Sequence, residues 1–181
     1  MKGKDFDTKI CPISFIDLEM TGLESTKHEI VEIGLVKVSQ PDLIVIEKWE
    51  AKVRPMHPET GDPVAVEISG YDQEKWKDSI MLQEMMQIFA VKVKGTILAG
   101  FNVSSDYSFL DVAITQTGIP LDVHRRILDV NPFAVGKKGW VFGENGLGSM
   151  TKLLGIKLEN HHTALADAVA TYEVYRKVVQ G

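Results

Sequence analysis

A short apolar run that ends in alternating acids constrains this chain more than any other stretch. Residues 15–23 read Phe-Ile-Asp-Leu-Glu-Met-Thr-Gly-Leu. Ser14 to Leu18 is mostly apolar and short, which predicts a buried strand. Side chains alternate faces along a strand, so Asp17 and Glu19, two apart, point the same way. Two carboxylates on one face at a strand end repel each other, and a cation between them relieves the repulsion. Hard divalent ions such as Mg2+ and Mn2+ take oxygen ligands, so the pair reads as half of a metal site. Thr21-Gly22 supplies the turn that follows. A D-x-E triplet is common at strand ends. The metal reading gains weight only if acids from distant segments reach the same point.

The length, 181 residues, suits one domain with a sizeable core, spanning 1–181 with a loose leader over 1–12. The opening residues, Met1 to Lys9, are polar and charged, unlike a signal peptide, and no apolar run is long enough to span a membrane. One cysteine, Cys11, excludes an internal disulfide and a Cys-rich zinc site. A cytoplasmic setting is the expectation. A net charge of -5 argues against a long, tightly gripped duplex, because phosphate binders usually carry a basic surface. Two bound divalent ions would bring the total to about -1, which suits a short or single-stranded substrate better.

Taken in order, Ile30 to Val38 alternates as a strand and Leu43 to Val53 is a second β-like run, so three antiparallel strands open the chain. Pro55 to Pro63 reads as an extended loop and Pro63 to Tyr71 as a short helix that Asp72 to Lys77 continues. Ser79 to Val93 is an amphipathic helix with a Met-rich apolar face, ended by Gly95. Thr96 to Phe101 is a buried strand, and a helix capped by Ser104 or Ser105 runs to about Gly118. A strand is expected at about 126–130, a Gly-rich connection over Asn131 to Gly148, a short helix over Leu147 to Leu154, and a closing helix over His162 to Val179. That order predicts an α/β fold, a mixed sheet flanked by helices.

Asp106 falls in the first turn after the Thr96 strand, and Asp167 falls in the closing helix, five residues after His162. If the Phe15 and Thr96 strands are parallel neighbours, their carboxyl ends open on one crevice, where sites form in open α/β sheets. Asp17, Glu19, Asp106 and Asp167 then converge. Such a cluster is very unfavourable without metal; with two ions about 3.5–4 Å apart it forms a clamp for phosphoryl transfer. One ion lowers the pKa of a bound water and the other stabilises the leaving 3′ oxygen. His162, near its helix start, is placed to take the water's proton, and an imidazole suits that role.

Three segments carry a family resemblance. Phe15-Ile16-Asp17-Leu18-Glu19-Met20-Thr21-Gly22 resembles the first motif of the DEDDh 3′–5′ exonucleases, the ribonuclease T and DNA polymerase III epsilon-like family. Gly100-Phe101-Asn102-Val103-Ser104-Ser105-Asp106 is similar to the second, and His162-Thr163-Ala164-Leu165-Ala166-Asp167 to the third. The resemblance covers about residues 13–179. It implies a ribonuclease H-like exonuclease fold with a five-stranded mixed sheet, two Mg2+ or Mn2+ ions per site, and release of nucleoside 5′-monophosphates from single-stranded or frayed 3′ ends. It places Asp17, Glu19 and Asp167 on the first metal, and lets Asp17 bridge to a second on which Asp106 acts directly or through water. His162 would be the base. Met20 and Leu23, with Thr21 and Gly22 between them, would line the 3′-terminal nucleotide, and Phe109 would pack near it. Many members have His where Phe101 stands, and Met20 matches an oligoribonuclease-like version of the first motif. DNA or RNA as substrate therefore stays open, as do a short-RNA enzyme, an idle exonuclease-fold binding module, a homodimer and a polymerase partner.

Other residues carry two readings each. Glu32 is either a support to the site or a sheet-face acid with a local partner. Asn102 either fixes the strand-to-helix junction by hydrogen bonds or touches substrate, and Asp129 either supports the crevice or caps a turn. The four-residue gap to Asp167 favours His162 over His161 as base. Lys137, Lys138 and Trp140 either grip single strands by charge and stacking or sit in a solvated loop. Residues 143–148, rich in glycine, lack the order of a phosphate loop and read as a turn into a helix.

Overall fold

The computed structural model describes residues 4–141, 146–157 and 163–181. Five strands form one mixed sheet: β1 (Ile13–Met20), β2 (Ile30–Val38), β3 (Val45–Lys52), β4 (Ile97–Gly100) and β5 (Leu128–Asp129), in the order β3-β2-β1-β4-β5. β1 pairs antiparallel with β2 and parallel with β4, so the carboxyl ends of β1 and β4 lie side by side, as the expected crevice requires. Six helices cover the faces: α1 (Pro63–Ser69), α2 (Leu82–Lys92), α3 (Ser104–Thr117), α4 (Val130–Lys138), α5 (Leu147–Leu153) and α6 (Ala164–Gln180). Among the described residues, no helix is long and apolar enough to cross a membrane.

Strand parity sorts the core into two layers. Ile16, Leu18, Ile33 and Leu35 face α2 and α3, where Met85, Met86, Phe89 and Leu110 meet them. Ile13, Phe15, Val36 and Val38 face the other way, against Val130, Ala134, Met150, Tyr172 and Val178 of α4, α5 and α6. With both faces covered, β2 is buried along nearly its whole length. The odd-numbered positions of β1 place Asp17 and Glu19 on the α6 side, where the apolar run gives way to acids.

Several segments differ from their expected form. Gly70 ends α1 in a left-handed conformation (φ 64°), and 73–78 form turns rather than a continued helix. Asp72 caps those turns by accepting from Glu74 N and Lys75 N, and Trp76 is buried with its Nε1 donating to Val31 O at 2.7 Å. The first part of the expected connection, residues 131–138, is helical and belongs to α4. Asp129 caps it, Pro132 sits in its first turn where no amide is missed, and buried Val130, Ala134 and Val135 outweigh the poor helix propensity of Gly136. Val103 occupies the N-cap of α3 without a side-chain cap, so Ser104 and Ser105 lie inside the helix. The leader is docked rather than loose from residue 4. Lys4 N donates to Val123 O at 2.9 Å, Arg125 N donates to Lys4 O at 2.8 Å, and Arg125 pairs with Asp5.

Candidate active site

β1 ends beside two neighbours that decide its chemistry. In the antiparallel register Asp17 lies opposite Gly34, and Glu19 lies opposite Glu32. All four residues therefore share the face that α6 covers. The start of α6 rests directly on this face. A Cβ on Gly34 would lie 2.2 Å from the carbonyl carbon of Ala164 and 2.3 Å from Leu165 N, so only glycine admits the helix backbone there. Thr163 caps the helix by accepting from Ala166 N, and Asp167 follows in the first turn. The result brings one carboxylate oxygen each from Asp17, Glu19 and Asp167 within 4.8 Å of one another.

Asp106 reaches the cluster from the opposite side. β4 stops at Gly100, which leaves the amide of Leu18 without a strand partner on that edge; Asp106 Oδ1, from the first turn of α3, accepts it at 2.9 Å. The carboxylate is thereby fixed to the backbone between Asp17 and Glu19. It is nine-tenths buried or more (5% exposed). It is not one of the three oxygens that share a 4.8 Å sphere.

Burial and crowding raise the proton affinity of Asp17, Glu19 and Asp106. Burial pushes Asp17 well above the ordinary carboxylate range, and the charges of Asp106, Asp167, Glu19 and Glu32 push it further. Glu19 is held up to about 7 by burial, then by Asp167, Glu32 and Asp106. Asp106 is also raised to about 7, by burial against the lowering effect of its backbone hydrogen bonds, with Asp129 adding to the rise. Such a site favours either protons or a cation. Opposite oxygens around Mg2+ stand about 4.2 Å apart. Oxygens already within 4.8 Å of one another need at most a small inward rotation of the three side chains, so the donor set fits a hard divalent ion.

Thr21 is buried. It donates its amide to Glu29 O, accepts from Glu29 N through Oγ1, and its carbonyl accepts from Asp62 N. Gly22 packs so tightly on the His28 ring that a Cβ would lie 2.4 Å from Nδ1. Leu23 projects into solvent, 85% exposed, whereas Met20 packs on the α2–α3 core layer. Phe109 is a core residue whose edge lines a cleft of about 220 Å³ with His28, Met56, His57 and Gln116. Asn102 is exposed and left-handed (φ 57°). Its amide donates to Asp129 Oδ1 at 3.0 Å and its Oδ1 accepts from Asn131 Nδ2 at 2.7 Å, so both readings of Asp129, crevice support and helix cap, describe one carboxylate. Lys137 and Lys138 form the last turn of α4, and Trp140 packs against the α6-side core layer. His162, His161 and residues 143–145 lie outside the described residues.

Glu32 was left between two readings by sequence alone. It is 5% exposed and accepts from Ala164 N at 3.1 Å, and burial raises its pKa. The parity of the Ile30–Val38 strand puts it on the Gly34 face, but only the β1–β2 register sets it opposite Glu19.

The sequence matches the family model described as exonuclease over residues 14–175. It is 28% identical over 165 residues to the PolC-type DNA polymerase III of Caldanaerobacter subterraneus subsp. tengcongensis, covering 91% of this chain and 11% of that protein. It is 28% identical over 182 residues to the PolC-type enzyme of Thermotoga petrophila, covering 99% of this chain and 13% of that protein. The chain thus spans about a tenth of the polymerases it matches. In three dimensions it resembles the nuclease domain of 3′hExo, a DEDDh family member bound to rAMP, with a TM-score of 0.77, 17% identity, and 97% and 94% of the two chains covered. It also resembles E. coli Exonuclease I in complex with a dT13 oligonucleotide, with a TM-score of 0.77, 20% identity, and 94% and 41% covered. These two likenesses establish the fold, a five-stranded mixed sheet of the ribonuclease H-like exonuclease type.

Proposed function

The chain belongs to the exonuclease family, and from that membership we propose that it hydrolyses nucleic acid from the 3′ end, using divalent metal held by Asp17, Glu19 and Asp167. The observation that carries the reading is the approach of those three carboxylate oxygens to within 4.8 Å, from two segments about 150 residues apart. Bound Mg2+ or Mn2+ would supply positive charge to the scissile phosphate and acidity to an attacking water. The protein's own groups set up the rest. Asp17, which feels the charge of every other acid in the cluster, would help to hold either ion, and Asp106, fixed by Leu18 N, would offer a further carboxylate oxygen. His162 takes the proton of the attacking water. It stands five residues before Asp167 in the sequence, the His-x4-Asp spacing of the third motif.

Around the acids, the turn at Thr21–Leu23 and the cleft beside Phe109 form the wall for a terminal nucleotide. Leu23, free in solvent, serves as the apolar wedge against a base. The substrate is a single-stranded or frayed 3′ end, since the net charge of -5 gives little grip on a long duplex. Relatives that are polymerases make a polymerase the natural macromolecular partner.

The test uses 5′-labelled single-stranded DNA and RNA of several lengths with Mg2+ or Mn2+, for wild type and Asp17→Ala. The expected result is a ladder that shortens from the 3′ end in wild type and is absent in the variant. The sugar and length that react fastest separate a DNA-trimming enzyme from an oligoribonuclease-like one. A protein that binds Mn2+ yet shortens none of the substrates contradicts the proposal.

A further inference from the structure

The geometry of the proposed metal cluster depends on where α6 begins, because Asp167 sits in its first turn. Two neighbouring positions of β2 define that start. Gly34 lets the backbone at Ala164 and Leu165 descend onto the strand. Two residues earlier on the same face, Glu32 Oε1 accepts the amide of Ala164 at 3.1 Å. That amide is one of the first helix donors, which have no partner within the helix. Thr163 satisfies a different one, Ala166 N, at 3.3 Å. Glu32 therefore holds the first residue of α6 directly, and it does so from inside the protein, at 5% exposure.

The position is costly for an acid. Glu32 lies opposite Glu19 across the β1–β2 ladder, and its charge adds to the crowding felt by both Asp17 and Glu19. It is nevertheless outside the set of three oxygens that share one small sphere. A buried acid that is not a ligand and that burdens its neighbours is explained by the bond it makes. We propose that Glu32 is a positioning residue: by holding the amide of Ala164 it sets the height and rotation of the first turn of α6, and so brings Asp167 within metal-binding reach of Asp17 and Glu19. The inference rests on the reading of those three residues as a metal site. What it requires of residue 32 is a hydrogen-bond acceptor of the right length, not a charge.

That requirement separates it from the alternatives. A Gln keeps an acceptor oxygen at the same distance from the backbone, whereas Ala removes it. The experiment titrates Mn2+ into wild type, Glu32→Ala and Glu32→Gln, reads free Mn2+ by electron paramagnetic resonance, and follows the Ala164 amide by NMR hydrogen exchange. Loss of a partner that orients a metal ligand costs about 10–100-fold in affinity, so Glu32→Ala should lose that much while Glu32→Gln stays within about threefold of wild type. The Ala164 amide should be protected in wild type and Glu32→Gln and exchange faster in Glu32→Ala. Wild-type affinity in Glu32→Ala overturns the inference and leaves the metal site standing. Equal weakening in both variants also overturns it, because charge or direct ligation would then be the role. A wild type that binds no Mn2+ overturns the metal site and the inference with it.

Discussion

Replacing Asp17 by Asn should stabilise the metal-free protein at alkaline pH while abolishing its metal site. One oxygen from each of Asp17, Glu19 and Asp167 lies within 4.8 Å of the others. Within that separation and at an effective dielectric constant of about 20, each pair of full charges repels by about 3.5 kcal/mol or more. Protons relieve part of this. Glu19 is held up to about 7, by burial first and by neighbouring acids after it, whereas a free Glu titrates at about 4.3. Between those two values the native state binds more protons than the unfolded chain, so stability falls as pH rises. The contribution of the protonated cluster is fully present below about pH 4 and is lost as pH passes about 7. Solvent still reaches Asp17 and Glu19, which are not fully buried, and screens some of the repulsion. Removing one charge is therefore worth about 1–3 kcal/mol at pH 8, or about 3–10 °C in Tm for a chain of this size. Asn is nearly isosteric, so packing should not change. Thermal unfolding in EDTA, followed by circular dichroism at pH 5 and pH 8, reads the effect. The variant should gain at pH 8 and gain much less at pH 5. Equal or lower stability at pH 8, or a gain independent of pH, refutes the electrostatic reasoning.

Other perturbations test separate parts of the account. Gly34→Ala places a methyl group against the Ala164 carbonyl; urea unfolding should show a loss of about 1–3 kcal/mol from overpacking, and calorimetry a weaker Mn2+ affinity as Asp167 is displaced. His162→Ala should leave Mn2+ binding close to wild type while single-turnover hydrolysis slows by about 10²–10⁴-fold, the usual contribution of a general base. Asp129→Ala removes the acceptor of Asn102 N and of the α4 cap. A lost cap costs about 1 kcal/mol, and a shift of the Asn102 amide resonance would mark the loosened junction.

Much of the site was legible because its logic is local. The alternation of 13–20 put Asp17 and Glu19 on one face, and the β1–β4 parallel pairing that the crevice needed is present. The bounds of β2 match the Ile30–Val38 alternation residue for residue, although the strand is covered on both sides and its Glu32 and Gly34 positions are buried as well. What escaped depends on pairing across the chain. Glu32 acquires its role from register with β1 and from the height of α6, neither of which is written in residues 30–38. Asp106 finds Leu18 N only because β4 ends at Gly100. The helix α4 escaped for another reason: Pro132 and Gly136 are poor helix formers, and burial against the α6-side layer overrode them. The leader looked loose because its partners, Asp122 to Arg125, lie more than a hundred residues away.

The central claim is that Asp17, Glu19 and Asp167 hold a divalent ion. Its most direct test is an anomalous-difference map from crystals grown with Mn2+. The account predicts a peak bonded to one oxygen of each of the three residues, with any second peak shared between Asp17 and the Asp106 side. A Mn2+ peak elsewhere, with these carboxylates unligated at a concentration that supports hydrolysis, contradicts it.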